Sequence, residues 1–324
     1  MPNRSKAIRC QVIGRDNGAG LSRDIALLSR NLIGAGVDVT ASALPHRGRL
    51  AEWTTRLRLL GRPPAFDLNI MLERIRPEFS RAARHNVLIP NPEYFRPRDR
   101  AALNSLDAVW VKTRHAERLF QALGMPVRYI GFTSMDCRRT EVPRERSFFH
   151  GPGRSNNKGT QALLELWAQH PDWPVLTVVW RRKRTEPMQL PANVKMISHH
   201  LDDDAYRRLQ NAHRFHLCPS QTEGFGHYIV EAMSCAAVVI TLDAEPMHEL
   251  VAPERGILVP ARPCGQQDLA DRFGFDAKDM ATAIERCIAL SDAQTQVLGK
   301  AARSWYENEV SSFPQRLSEA LMAF

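Results

Sequence analysis

Lysine is scarce in this chain, with seven against 37 arginines among 324 residues. Aromatic residues make up 7% of it and form no clustered stacking platform of the kind single-stranded nucleic-acid binders use. No apolar run approaches the ~20 residues of a membrane-spanning helix. The basic N-terminal stretch MPNRSKAIRCQVIG has too short an apolar part for a secretory signal. These absences favour a cytoplasmic protein. The six cysteines (Cys10, Cys137, Cys218, Cys235, Cys264 and Cys287) include no C-x-x-C pair, which argues against zinc ribbons and redox motifs. Several lie inside apolar runs, so buried free thiols are expected rather than disulfides. Short-period repeats and low-complexity tracts are also missing. What remains is a globular chain long enough for two cores of ordinary size.

Charge is present in excess and unevenly shared. The formal net charge is +9; residues 1–144 hold 25 Lys and Arg against 13 Asp and Glu, and residues 145–324 hold 19 against 22. Biased codon usage accounts for arginine over lysine but not for that asymmetry. The first half is therefore expected to attract an anionic partner: a phosphorylated acceptor, an acidic membrane face or nucleic acid.

Both halves alternate short apolar runs with helical patterns. AIRCQVIG, VDVTASAL, FDLNIMLERI, NVLIP, DAVWVKT and VRYIGFT read as buried strands, with helices such as LSRDIALLSRNLIGAG and RHAERLFQALG between them. The polar stretch DCRRTEVPRER reads as a linker, after which strands and helices restart. The expected architecture is α/β: two doubly wound Rossmann-like domains, residues 1–140 and 141–324, facing a cleft, with the last helices packing back on the first domain. Ligands in such folds collect beyond the carboxyl ends of the strands.

The richest segment runs from His216 to Val251. It holds an apolar strand, a turn, Glu223, a helix carrying Glu231, and a second apolar strand. An acid near a helix start often serves only the helix dipole. Here Gly224, Phe225 and Gly226 follow the acid and bare backbone N–H groups for an anion or for sugar hydroxyls. Glu231 lies about one helical turn deeper, roughly 5 Å. A second constellation, SFFHGPGRSNNKGTQALLELW, places His150 at a strand end, then Arg154 and Lys158 before a helix. A solvated basic turn and a packed core histidine are the plain alternatives. A P-loop is excluded, since that motif needs Gly-Lys-Thr where this chain has Lys-Gly-Thr. The run Asp202-Asp203-Asp204 superficially offers a metal-binding D-x-D, but it opens a helix and is better read as an N-cap.

The order strand, P-S-x-x-E-G-F-G, E-A-M, strand, E-P-M-x-E-L-V resembles the nucleotide-sugar-dependent retaining glycosyltransferases of the large GT-B group 1 family. The match is nearly unbroken over about 35 residues, with weaker agreement along the chain. The family's glycine and proline in the turn after the helix are replaced by Ala236 and Val238. The resemblance implies that Glu223 reaches the transferred hexose beside the amides of Phe225 and Gly226, and that Glu231 accepts the ribose hydroxyls. It places Arg154 and Lys158 on the diphosphate, with His150 near it, and Gly18 and Gly20 of the GRDNGAG turn close to the donor phosphates. An ordinary tight turn explains those glycines equally well. No resident cofactor and no metal are implied, the nucleotide-sugar being a co-substrate. Many relatives carry histidines after the middle strands of the first domain; this chain offers Glu73, Asn91 and Glu93 instead, as catalytic or acceptor-side candidates.

The segment 46–64 puts Leu50, Trp53, Leu57 and Leu60 on one helical stripe among arginines. Such a stripe packs on the sheet or docks on lipid headgroups, making the protein peripheral to a membrane. The expected activity is hexose transfer from a nucleotide diphosphate sugar, such as a UDP- or GDP-sugar, to a glycan, lipid-linked or small-molecule acceptor. A sugar-nucleotide epimerase of the same architecture is the rival enzyme. A basic nucleic-acid-binding protein without activity is the rival of another class, and no nucleic-acid module supports it.

Overall fold

The computed structural model describes residues 7–15, 20–44, 49–181 and 190–324. The chain forms two compact units, Met1–Ser134 with Gln267–Ala270 and Glu309–Phe324, and Met135–Gln266 with Asp271–Asn308.

The first unit is built on a six-stranded sheet: β1 (Arg9–Arg15), β2 (Asp38–Leu44), β3 (Phe66–Glu73), β4 (Ala83–Pro90), β5 (Ala108–Val111) and β6 (Val127–Tyr129). Its helices are α1 (Gly20–Gly34), α2 (Arg49–Leu59) and α3 (Arg114–Gln121). The strands run parallel in the order β2-β1-β3-β4-β5-β6, with Val12 opposite Ile70 and Ile70 opposite Val87. Parallel strands covered on both faces need continuous apolar stretches, and the middles of β1 and β3 are buried throughout. Ile13, Met71, Leu88, Val109 and Phe120 share one core, where Phe120 meets Phe95 edge-on at 5.0 Å. Each such side chain contributes about 1.5–3 kcal/mol through burial. The strand order reverses between β1 and β3, which puts the unit's crevice beyond their carboxyl ends.

The second unit holds β7 (Glu145–Gly153), α4 (Thr160–Gln169), β8 (Leu176–Trp180), β9 (Val194–Ile197), α5 (Asp203–Ala212), β10 (His213–Cys218) and α6 (His227–Ser234). Then follow β11 (Val238–Asp243), α7 (Met247–Leu250), β12 (Gly256–Gln267), β13 (Ala270–Phe275), α8 (Ala277–Ala289) and α9 (Asp292–Leu321). The sheet order is β13-β12-β11-β10-β7-β8-β9, parallel from β12 to β9. Counted within the unit this is the dinucleotide-fold order, and it reverses between β7 and β10. Phe148 on β7 stacks on Phe215 of β10 at 5.0 Å and meets Trp167 of α4 edge-on at 5.3 Å, closing the layers. Asp202 accepts from the Ala205 amide at 2.7 Å, so the aspartate run caps α5 as expected.

Three features depart from the sequence reading. β12 continues past the expected GILVP and leads into β13; Pro260 and Pro263 break the pattern and hide this ribbon. Short 3-10 turns at Pro77–Ala82, Pro92–Tyr94 and Pro97–Ser105, each opening on proline, went unread. Trp53 of α2 is 61% exposed, and Leu57 and Leu60 are exposed beside it. That stripe does not pack on the sheet; the Leu50 side chain lies outside the described residues. The cysteines are all free, and every one but Cys264 is buried.

Candidate active site

The strand reversal of the second unit fixes where a ligand would meet it. Two loops leave the carboxyl ends of β7 and β10 side by side: residues 154–159, leading into α4, and 219–226, leading into α6. They are tied together by the Gln221 amide, which donates to the Asn157 carbonyl at 2.9 Å. Both helices begin after a glycine in the left-handed region, Gly159 at φ 66° and Gly226 at φ 106°. A Cβ on Gly159 would come within 3.0 Å of the Pro219 carbonyl, so the close approach of the loops requires glycine. Neither helix start receives a side-chain cap. The positive ends of two helices therefore face one crevice.

The charged side chains converge there. Lys158 Nζ is paired with Glu223 Oε1, with 15% and 12% of the two side chains exposed. Ser220 also donates to Glu223, and its oxygen is bonded to the Tyr228 hydroxyl. Burial pushes the Tyr228 phenol well above its ordinary value, so it stays protonated. Lys158 lies over the Tyr228 ring at 4.4 Å. Arg154 is exposed on the same loop.

Glu231 is brought to the same strand end: the Cys218 thiol, raised by burial, feels the charges of Lys158, Glu223 and Glu231 together. Glu231 is only 2% exposed, however, with Gln210 Nε2 donating to its Oε2 at 3.4 Å. Gln210 Oε1 and the Thr222 hydroxyl are buried with no hydrogen-bond partner. Buried oxygens of this kind are completed by ordered water or by a ligand's hydroxyl donors. Phe225 and Gly224 are buried in the turn.

His150 is not displayed toward the crevice. Its Nδ1 donates to the Leu217 carbonyl at 2.7 Å, so its Nε2 accepts from the Thr160 hydroxyl at 2.8 Å. Burial holds its pKa at about 4, and both ring nitrogens are used. It is the packed histidine of the two alternatives, and it clamps β10 to the first residue of α4.

In the first unit, Glu73 ends β3 at the strand reversal with φ 67°, 3.5 Å from Arg74 Nε. A left-handed glutamate is strained backbone, as is common at working sites. Asn91 and Glu93 are built inward instead. Asn91 Oδ1 accepts from Lys112 Nζ at 3.0 Å, and Glu93 is buried, its carbonyl accepting from Gln267 at 3.0 Å. Gly20 opens α1, and Gly18 lies outside the described residues. The sequence reading missed Asp24 and Lys112, a buried ion pair at 2.5 Å. The signal was available: Asp24 interrupts the apolar stripe of Leu21, Ile25 and Leu28, and Lys112 directly follows an apolar strand.

Two uncapped helix starts facing a charge-paired crevice in a doubly wound unit are an arrangement able to hold an anionic, hydroxyl-bearing ligand. Residues 154–305, which carry that crevice, match the family of glycosyl transferases group 1. The fold of the chain, two Rossmann-like units, is the GT-B fold. It is similar to sucrose-phosphate synthase from Thermosynechococcus elongatus, with a TM-score of 0.72 and 16% identity over 98% of this chain and 99% of the other. It is similar to Anabaena HepE in complex with UDP and glucose, with a TM-score of 0.71 and 17% identity over 98% and 100%. The α,α-trehalose-phosphate synthase (UDP-forming) of Burkholderia vietnamiensis aligns with a TM-score of 0.67 and 12% identity over 98% and 100%. No curated protein sequence matches the chain.

Proposed function

We propose that this protein transfers a hexose from a uridine diphosphate sugar to an acceptor with retention of configuration. The observation that carries this is the Lys158–Glu223 pair set between the uncapped starts of α4 and α6. Similar solved structures hold UDP, UDP with glucose, or UDP-glucose, which favours uridine over other bases. Retention rests on the resemblance to retaining transferases.

In this reading Lys158 exchanges Glu223 for the diphosphate when donor binds, and Arg154 joins it. The bond from the sugar's anomeric carbon to phosphate oxygen breaks, and its electron pair leaves with UDP. Lys158, Arg154 and the helix amides stabilise that growing charge, a task that a metal performs in other transferases. No cofactor is needed. Glu223, freed from Lys158, accepts hydroxyls of the sugar, while Glu231 and Gln210 Oε1 accept those of the ribose. Glu73 is the proposed base for the acceptor hydroxyl, whose oxygen bonds to the anomeric carbon as its proton leaves.

The exposed stripe of Trp53, Leu57 and Leu60, flanked by Arg56 and Arg58, favours a membrane-peripheral location and a lipid-linked or otherwise anionic acceptor. Among the described residues no helix is long and apolar enough to cross a membrane.

The test is thermal stabilisation by a panel of nucleotide-sugars, followed by UDP release and product analysis. A UDP-sugar at 100 times its Kd should add about 2.7 kcal/mol to the second unit. Lys158→Ala should lower the rate of UDP release about 100- to 1,000-fold. Failure of every nucleotide-sugar to stabilise the protein would sink the reading. Conversion of the donor to an epimer without acceptor would assign the rival enzyme.

A further inference from the structure

A cavity of about 870 Å3 opens at the amino end of the second unit's sheet, the end opposite the loops of Lys158 and Glu223. Arg144 stands just before β7, Arg214 at the start of β10 and Ala236 just before β11, while one face of α9 supplies Lys300, Arg303 and Ser304. With Arg138, five cationic side chains line a space containing two acids, Asp292 and Glu307. Both acids are engaged: Arg214 Nη1 donates to Asp292 at 2.5 Å and Arg303 Nε to Glu307 at 2.7 Å. Arg303 is further held by both oxygens of Asp136.

Arg138, Arg144 and Lys300 remain; Arg138 lies near Asp136 and helps to hold its carboxylate charged, while Arg144 donates to backbone carbonyls. Arg144 is the most telling of them. Its Nη1 donates to the Ala236 carbonyl at 3.0 Å and its Nη2 to the His213 carbonyl at 3.4 Å, yet its buried Nε has no partner. Burial lowers its pKa; the Cys235 thiol opposes that shift, while Arg138 and Arg214 add to it. A half-buried guanidinium among like charges is a standing cost unless an anion offsets it.

The shape of the site narrows the anion. Its volume of about 870 Å3 falls in the range of small-molecule pockets. The lining has no aromatic ring and one apolar residue, Ala236, so it offers no aromatic face for a nucleobase to stack on. Ser304 and Gln296 are polar partners for hydroxyls instead. We propose that this cavity binds a compact phosphorylated, hydroxyl-bearing metabolite, its phosphate held by Arg138, Arg144 and Lys300, at a site separate from the donor crevice.

The test is calorimetric titration of the full chain with glucose 6-phosphate at low salt, with inorganic phosphate as a second probe and glucose as the uncharged control. Arg144 is unsuited as the primary variant, because it also holds the carbonyl that follows α6. Arg138→Ala with Lys300→Ala removes two exposed charges, and the Arg138 amide keeps its bond to Asp136 in the variant. The wild type should bind glucose 6-phosphate and not glucose, and Lys158→Ala should bind it with unchanged Kd. The double variant should bind it about tenfold or more weakly. An unchanged Kd in the double variant overturns the proposal. So does loss of binding in Lys158→Ala, which would move the phosphate to the donor crevice. No heat with either phosphate up to about 10 mM also overturns it, since that limit is weaker than any working site. Loss in the double variant of sedimentation with phosphatidylglycerol vesicles, without any sugar-phosphate binding, would assign the charges to a lipid surface instead.

Discussion

Replacing Lys112 by methionine should unfold the first unit far more readily, by an amount the geometry fixes. Lys112 and Asp24 each expose 3% of their side chains, and the ammonium also donates to Asn91 and lies 4.9 Å from the Phe132 ring centroid. Methionine fills the same space, so little is lost in packing. What is lost is the charge opposite a carboxylate already stripped of water. That carboxylate can always escape by taking a proton, at about 1.4 kcal/mol for each pH unit above its ordinary value near 3.9. At pH 7 the ceiling on the cost of taking Lys112 from that carboxylate is therefore about 4 kcal/mol, and the forfeited bond to Asn91 adds about 1 kcal/mol. The expected loss is about 3–5 kcal/mol, in line with broken buried pairs elsewhere. Hydrogen exchange is the suitable assay, because peptides of β1 and β5 report on the first unit while those of β10 serve as an internal reference. Globally protected amides of β1 should exchange roughly a hundred- to several-thousand-fold faster. Adding Asp24→Asn should restore most of the protection. A loss below about 1 kcal/mol, or one that Asp24→Asn does not reverse, would refute the reasoning.

Other outcomes follow from the same physics. His150, His213 and His216 are held neutral by burial, at pKa values of about 4, 4 and 3. Each folded value lies below the unfolded one near 6.5, so the unfolded chain binds more protons and stability must fall as pH drops through 6.5 toward 4. Each contributes about 1.4 kcal/mol per pH unit over that window, and β10 peptides should lose exchange protection first on acidification; protection constant to pH 5 would contradict the burial. Glu73→Gly should stabilise the first unit by up to about 1 kcal/mol by relieving the left-handed backbone, while lowering turnover; a destabilised variant would mean that no strain is stored there. Trp53→Ser with Leu57→Ser should abolish sedimentation with anionic vesicles without changing the melting temperature; unchanged sedimentation removes α2 as the docking helix.

Much of this was legible because each half obeys its own period. Continuous apolar runs betrayed the buried parallel strands, and the cap at Asp202 was readable from residue type alone. The Glu223 turn was legible for a further reason: glycines on both sides of a strand-to-helix step serve few purposes besides close approach. His150 could not be placed so well, because a histidine at a strand end looks the same whether its second nitrogen meets Thr160 or a ligand. Partners distant in sequence decide that, as they do for Asn91, whose oxygen is taken by Lys112. The burial of Glu231 under Gln210 depends likewise on how α5 lies against β10, which no local pattern records. The amino-end cavity joins residues from 138 to 307, and only the sheet order brings them together.

The distribution of sulfur has a practical corollary. Cys264 sits exposed on β12, while Cys10, Cys218, Cys235 and Cys287 are enclosed with thiols shifted upward, and Cys137 is enclosed as well. A maleimide dye should thus attach once per folded molecule with no engineering, next to the ribbon that leads into β13. The same lone accessible sulfur makes air-oxidised preparations prone to covalent pairing, so a reducing agent belongs in every buffer used to judge oligomeric state.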